Sequence, residues 1–196
     1  MRRIVLLLII ALAGVTASAQ GTFTKQEGLS FYGGAGYTLC PSGGGLSIVA
    51  GTAYGLHDLQ LSYTLGLSKS DPVHWYDDNG ILQATTKYKQ NTFGVRYGYR
   101  FALTEQLVVT PQLGYSLNTQ SSSLEEGTKV YGDKAKASTL TIGARLTYEP
   151  LQHCVVFLSP EYDIRLSQDT YYKHTTDISN CKADGLAVTA GLLVCF

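Results

Sequence analysis

Eight stretches of the chain alternate strictly between apolar residues and polar or small ones. A period of two is typical of a β-strand with one apolar and one polar face. Each stretch is close to the ~9–11 residues that a tilted strand needs to cross a bilayer. The last stretch ends the chain, and its apolar face consists of Leu186, Val188, Ala190, Leu192, Val194 and Phe196. The other stretches lie near residues 29–39, 46–54, 59–68, 92–101, 107–117, 139–148 and 154–166.

Short connections alternate with long polar ones along the chain. The short ones are near 55–58, 102–105 and 149–152, and the long ones are near 69–87, 118–137 and 167–184. The connection at 40–45 is the one short connection at the end of the predicted barrel that carries the long ones. Short turns at one end and long loops at the other are typical of membrane barrels. The predicted fold is all-β: an eight-stranded antiparallel up-and-down transmembrane β-barrel.

The amino terminus has the pattern of a secretory signal peptide. Two arginines, Arg2 and Arg3, precede the apolar run Ile4–Ala13, and Ala17-Ser18-Ala19 is a small-residue cleavage site. We therefore expect residues 1–19 to be removed and residues 20–196 to form one domain. An uncleaved anchor helix is the alternative.

A soluble barrel or sandwich would also alternate, with its polar face in water. Two features favour the membrane instead. Most strand glycines fall on the polar face, where a narrow barrel interior needs space for side chains from the opposite wall. Tyrosines lie near strand ends on the apolar face, as in interfacial aromatic belts. The strand prolines Pro111 and Pro160 each remove a ladder donor, so we expect a bulge or local break at both.

The topology and the carboxy-terminal aromatic Phe196 together resemble the small eight-stranded outer-membrane barrels, the porin-like family of OmpX-like proteins and OmpA transmembrane domains. The resemblance implies the outer membrane of a Gram-negative cell, with both chain termini in the periplasm. It also implies outer-membrane lipid and lipopolysaccharide as surroundings, and barrel assembly machinery that reads Phe196 as an assembly signal.

The polar faces of the strands carry charges that would point into the barrel. Unpaired charges are costly in a lumen of low dielectric constant, so we expect them to pair. Such a network would plug a lumen too narrow for a channel. The alternative is a proton or ion path. The predicted lumen ionic network consists of Arg96, Arg100, Arg145, Glu149, Glu161, Asp163 and Arg165.

The rest of the sequence gives little indication of nucleic-acid binding, a metal site or catalysis. Basic and acidic residues number 15 each, so there is no basic excess to attract nucleic acid, and no nucleic-acid partner is expected. The four histidines lack a metal-ligand spacing, and no spacing places a nucleophile beside a base. We predict no catalytic residues, no metal and no cofactor. A small-ligand cavity and a lipid-modifying enzyme are the alternative roles.

The long loops carry aromatic and histidine side chains that could contact an extracellular partner. Asn79-Gly80 between two β-like runs predicts a hairpin that projects from the membrane. Exposed aromatic residues on a rigid scaffold favour partner contact, and packing between loops is the alternative. The candidate contact residues are His74, Trp75, Tyr76, Tyr171, Tyr172 and His174.

Four cysteines in a secreted chain suggest disulfides. Cys40 and Cys181 both lie at the predicted outer ends of neighbouring strands, so we expect them to be bridged. Cys154 and Cys195 lie at the opposite end, but alternation puts them on opposite faces, so their pairing stays open. Four free thiols acting as small apolar residues are the alternative.

Overall fold

The computed structural model describes residues 28–77, 80–126, 129–170 and 183–196. Every described element is a β-strand, because the alternating segments place one apolar and one polar face on each pleated ribbon. The predicted signal peptide lies outside the described residues. The strands are β1 Leu29–Cys40, β2 Gly43–Tyr54, β3 His57–Gly66, β4 Lys69–Asp77, β5 Gly80–Tyr99, β6 Phe101–Ala102, β7 Leu107–Glu126, β8 Lys129–Leu151, β9 Cys154–Thr170 and β10 Gly185–Cys195.

The strands form one closed antiparallel sheet. Strands that follow each other around the barrel pair with each other, and β1 also pairs with β10, which closes the barrel. β4 follows β3 along the same edge of β5, and the two-residue β6 follows β5 along β7. The ten strands therefore make eight barrel walls, and the predicted fold is confirmed.

The two faces of the sheet differ sharply. Large apolar side chains on the outer face are exposed, whereas polar and charged side chains on the inner face are buried. An apolar outer surface this continuous is stable in lipid and not in water. Among the described residues, no helix is long and apolar enough to cross a bilayer. The outward apolar residues include Phe31, Leu46, Ile48, Leu61, Tyr63, Phe93, Leu113, Ile142, Leu158 and Leu192.

Two predicted loops are in fact continuations of the barrel wall. The segment 118–137 belongs to β7 and β8, whose ladder runs on to the pair Glu126–Lys129. The segment 69–87 contains β4 and its partner β5, which pair as far as Asp77 and Gly80. The expected hairpin is therefore present, and its connection, residues 78–79, lies outside the described residues. We call this side of the barrel the long-hairpin end, and the side with Phe31 and Phe196 the short-turn end.

The strand prolines do not create bulges. Pro111 pairs with Ala144 without a register shift. Opposite Pro160 the β8–β9 ladder lacks two pairs but resumes in the same register. The expected bulge or local break is therefore absent at Pro111 and is present, as a local break, at Pro160. The shifts in this ladder lie at Ser138/Thr139 and at Tyr148/Leu151.

Glycines allow a close approach at the seam where β1 meets β10. Gly36 pairs with Gly191, and Gly34 pairs with Leu193. A Cβ atom added at Gly34 would lie 2.8 Å from Leu193 Cα, which is backbone and cannot turn aside. Closure of the barrel therefore depends on the missing side chain at this position.

Candidate functional site: the barrel lumen

An apolar layer covers one side of the lumen. Its members come from β1, β2, β9 and β10, and their side chains are at most 3% exposed. These residues interrupt the polar inner faces of the four strands, so the layer excludes water from this side of the lumen. The layer consists of Tyr32, Val49, Val155, Phe157, Leu193 and Cys195.

Arg145 is the centre of a fully buried polar cluster that shares Tyr32 with this layer. Its Nη2 atom lies 2.6 Å from Asp58 Oδ2, and neither side chain is exposed at all. Its Nη1 atom donates to Tyr32 Oη at 2.9 Å and also to Gln60 Oε1. Tyr32 Oη in turn donates to Asp58 Oδ1 at 2.9 Å. We call Tyr32, Asp58, Gln60 and Arg145 the Arg145 cluster.

The Arg145 cluster joins opposite walls of the barrel. Arg145 is on β8, Asp58 and Gln60 are on β3, and Tyr32 is on β1. Gln112 on β7 donates to Gln60 Oε1 at 3.3 Å, so a fourth wall takes part. The guanidinium also lies over the Tyr32 ring, 4.9 Å from its centroid. Because most of the polar atoms are paired, the cost of burying two charges is largely offset.

A second ion pair crosses the lumen nearer the long-hairpin end. Arg96 Nη2 on β5 lies 2.6 Å from Glu161 Oε2 on β9, and both side chains are less than 10% exposed. Arg96 Nη1 donates to Ser62 Oγ at 2.5 Å, and Ser159 Oγ donates to Glu161 Oε1 at 3.1 Å. Two sets of ion pairs and hydrogen bonds therefore cross the lumen.

Three further charged residues of the predicted network lie inside the barrel. Arg100 and Glu149 are buried at the short-turn end, and Glu149 Oε1 accepts a hydrogen bond from the backbone nitrogen of His153 at 3.2 Å. Asp163 is half-buried and accepts a hydrogen bond from Thr141 Oγ1 at 2.5 Å.

Arg165 is the exception, because it is exposed at the long-hairpin end and donates to Gln168 Oε1 at 2.6 Å. The prediction that Arg165 belongs to the ionic network is therefore wrong, because the lumen is open to water where this side chain lies.

Sequence reasoning missed Asp58, the acid that neutralises Arg145. The predicted turn at 55–58 includes it, but it is the first inward residue of β3 and keeps the phase of Gln60 and Ser62. Extending the alternation of β3 by one residue toward the turn would have placed Asp58 on the inner face. The pairing itself joins residues 87 positions apart, so no local pattern indicates it.

A cavity opens above the Arg96–Glu161 pair toward the long-hairpin end. The centre of a water molecule can lie anywhere within about 40 Å³ of it, so the cavity has room for ordered water. Its rim includes Ser42 and the glycines 43–45 of the short β1–β2 turn. Four hydroxyl side chains on β10, β1, β2 and β3 form a hydrogen-bonded row along its wall: Thr189, Thr38, Ser47 and Thr64.

The predicted Cys40–Cys181 bridge is not formed. Cys40 carries a free thiol whose Sγ atom lies 3.1 Å from Gly43 O and 3.2 Å from Ser42 Oγ, so it turns onto the β1–β2 turn. Cys181 lies outside the described residues. Cys154 and Cys195 are free as well, with Cys195 buried in the apolar layer and Cys154 half-buried.

The predicted contact residues lie at or beyond the end of the described wall. His74, Trp75 and Tyr76 are in β4, where Trp75 pairs with Leu82 of β5, and nothing is described of their side chains. Tyr171, Tyr172 and His174 lie outside the described residues. The backbone therefore places the first group on a hairpin that extends the barrel wall.

Comparisons with solved structures identify the same architecture. A major outer membrane protein from Thermus thermophilus superposes with a TM-score of 0.64 at 14% identity, covering 86% of this chain and 99% of that chain. Ail, the attachment invasion locus protein of Yersinia pestis, follows with a TM-score of 0.49 at 15% identity, covering 87% and 100%. The N-terminal β-barrel domain of Pseudomonas aeruginosa OprF has a TM-score of 0.48 at 14% identity, covering 87% and 98%.

The first of these similarities confirms the fold. The expected small outer-membrane barrel is confirmed, and the apolar outer face agrees with it. No curated protein sequence matches the chain. A sequence model of the autotransporter β-domain matches residues 10–187, which is most of the chain. With its closed eight-walled barrel and lipid-facing apolar surface, the chain belongs to the autotransporter β-domain family of the outer membrane.

Proposed function

We propose that this protein is a non-catalytic outer-membrane barrel with a plugged lumen, which serves envelope integrity or surface contact through its projecting hairpins. The observation that carries the proposal is the full burial of Arg145 and Asp58 across the lumen. A path for ions would need water beside these charges, and both side chains are inaccessible to it. The apolar layer, which shares Tyr32 with the Arg145 cluster, adds to this barrier.

Solute flux through the lumen tests the plug. Liposomes containing the purified barrel are expected to swell in an arabinose gradient no faster than protein-free liposomes, because two charged layers and an apolar layer close the lumen. An open porin in the same lipid is the positive control. Swelling well above the protein-free rate would refute the plugged lumen.

The projecting hairpins support the surface-contact role. β4 and β5 pair beyond the end of β3, and β7 and β8 pair over 20 residue pairs, more than a membrane crossing needs. The long-hairpin end would then face the cell exterior, and both chain termini would lie in the periplasm. Outer-membrane lipid and lipopolysaccharide would surround the barrel, and an extracellular partner would meet the hairpin that carries His74, Trp75 and Tyr76.

Assembly of the barrel is proposed to depend on Phe196. Its side chain is 74% exposed on the outer face, and its backbone nitrogen donates to Phe31 O at 2.8 Å across the seam. We expect Phe196→Ala to lower the level of the heat-modifiable barrel in outer membranes several-fold, because assembly machinery would lose the terminal aromatic.

Phe31→Ala is the matched control for this prediction, since Phe31 is 55% exposed on the neighbouring strand. It removes the same lipid contact without touching the chain end. Equal levels of both variants would show that Phe196 is an ordinary lipid-facing residue.

The cavity above the Arg96–Glu161 pair favours a second role, the binding of a small ligand from the long-hairpin side. Its wall combines hydroxyl groups, the Asp163 carboxylate and the apolar side chains of Val49, Phe157 and Ala187. A few convergent polar groups in a concave site are typical of ligand sites.

A further inference from the structure

Lysine side chains gather on the outer face of the barrel toward the long-hairpin end. On β8, Lys134 and Lys136 are exposed, whereas Ala135 between them is 1% exposed on the inner face. On β5, Lys89 follows Tyr88, which is buried against Ala135, so alternation turns Lys89 outward. We call Lys89, Lys134 and Lys136 the outer lysine patch.

The strand register brings these lysines together around Ser121. This serine of β7 pairs with Lys89 on one side and with Lys134 on the other. Neighbouring strands are ~4.8 Å apart, so the Cα atoms of the two lysines are about 10 Å apart, and Lys136 is about 7 Å further along β8. Lys87 follows on the same face of β5. The ammonium groups of these long side chains can therefore converge on one anion beside Ser121.

The outer lysine patch has an excess of positive charge. Among the described residues, none forms an ion pair with Lys89, Lys134 or Lys136. Asp169 pairs with Lys136 in the strand register, whereas Lys89 and Lys134 both pair with Ser121. An anion at this surface would therefore be attracted by lysines that have no acidic register partner.

The patch begins where the lipid-facing apolar surface ends. Phe93 of β5 pairs with Leu117 of β7, and both side chains are exposed on the outer face. Lys89 lies four residues beyond this pair, which is ~13 Å along the strand and ~10 Å along the membrane normal for a strand tilted by about 40°. Lys136 is opposite a residue only two positions beyond Leu117. Because lysine stems cover apolar surface while their charged ends stay in the polar layer, the ammonium groups lie at headgroup level.

We propose that the outer lysine patch binds the anionic phosphate group of a lipid headgroup at the long-hairpin end. This inference rests on the lipid surroundings proposed above and names the headgroup chemistry. The lysines supply the charge, and the exposed hydroxyl of Thr119, which lies between Asn91 and Lys136 in the register, donates a hydrogen bond. The acyl chains continue onto Phe93 and Leu117, a contact that a soluble anion lacks.

Titration with dihexanoyl phosphatidic acid tests the proposal. The full chain is refolded in micelles of the uncharged detergent dodecyl maltoside, and the amide chemical shifts of Lys89, Ser121 and Lys134 are followed by NMR. We expect saturable shifts of these amides, because this lipid exposes its phosphate. Dihexanoyl phosphatidylcholine, in which a choline group balances the phosphate, is expected to give none. Equal saturation by both lipids would show that acyl chains alone account for binding, and would overturn the phosphate site.

Three variants locate the site. Lys134→Gln is expected to weaken the binding of phosphatidic acid about fivefold, the factor that one lysine contributes near an anionic lipid surface. Lys134→Arg keeps the charge and is expected to retain the affinity. Lys69→Gln removes a lysine charge from the same end of the barrel, but Lys69 pairs with the inward Tyr88 and so lies off the outer face. It is expected to leave the affinity unchanged, and equal losses in the two glutamine variants would overturn the assignment to the outer face.

Inorganic phosphate separates a lipid headgroup from a free anion. Saturation of the same amides at the same concentration of inorganic phosphate would overturn the lipid as the ligand. An absence of saturable shifts with phosphatidic acid would overturn the phosphate site itself. Neither result bears on the plugged lumen, which the liposome swelling assay tests separately.

Discussion

Asp58→Ala is expected to lower the free energy of unfolding of the barrel by about 3–5 kcal/mol. The variant leaves the Arg145 guanidinium fully buried without its carboxylate, and removing one partner of a buried ion pair costs about this much. Tyr32 Oη also loses the acceptor that it now reaches at 2.9 Å. Arg145→Ala is expected to be about as damaging, because it leaves Asp58 as the unpaired charge. Urea unfolding of the refolded protein in detergent would measure both.

The double variant Asp58→Leu/Arg145→Met is the informative control. When both partners are replaced by apolar residues of similar volume, no charge stays buried, and stability often recovers. We therefore expect the double variant to be more stable than either single variant. If it loses as much as the sum of the two single losses, packing rather than charge accounts for the effect.

Gly34→Ala is expected to lower the free energy of unfolding by about 3 kcal/mol or more and to reduce the yield of folded barrel. Overpacking against side chains already costs about 1–3 kcal/mol, and a backbone obstacle cannot relax by changing a rotamer. The new methyl group would meet the backbone of β10, with Leu193 Cα at 2.8 Å, at the seam that closes the barrel. The fraction of heat-modifiable protein and the urea midpoint would report the loss.

Gly33→Ala is the matched control on the same strand. A Cβ atom at this position has its nearest neighbour, Val49 O, at 3.9 Å. The variant should be neutral or slightly more stable, since alanine loses less backbone entropy than glycine on folding. Identical midpoints for the two variants would show that the seam does not depend on the absence of a side chain at Gly34.

Alternation along the sequence was sufficient to predict the strands, their faces and the closed barrel. The reason is that a period of two maps directly onto the two faces of a strand, and lipid requires every outward residue to be apolar. The same alternation turned Arg96, Arg145 and Glu161 inward, where the structure places them. It fails beyond the membrane, where both faces meet water and the period disappears. For this reason the extensions of β7 and β8, such as Ser121 to Ser123, resembled a loop.

The sequence by itself determined which residues face the lumen, because that depends only on the local period of the chain. Only the tertiary structure decided which of them meet. Arg145 pairs with Asp58 and Arg96 with Glu161 because the curvature and register of the closed sheet bring β8 to face β3 and β5 to face β9. The cavity above the Arg96–Glu161 pair likewise depends on how far each side chain reaches across the barrel. These distances come from closure, which no segment of the chain encodes alone.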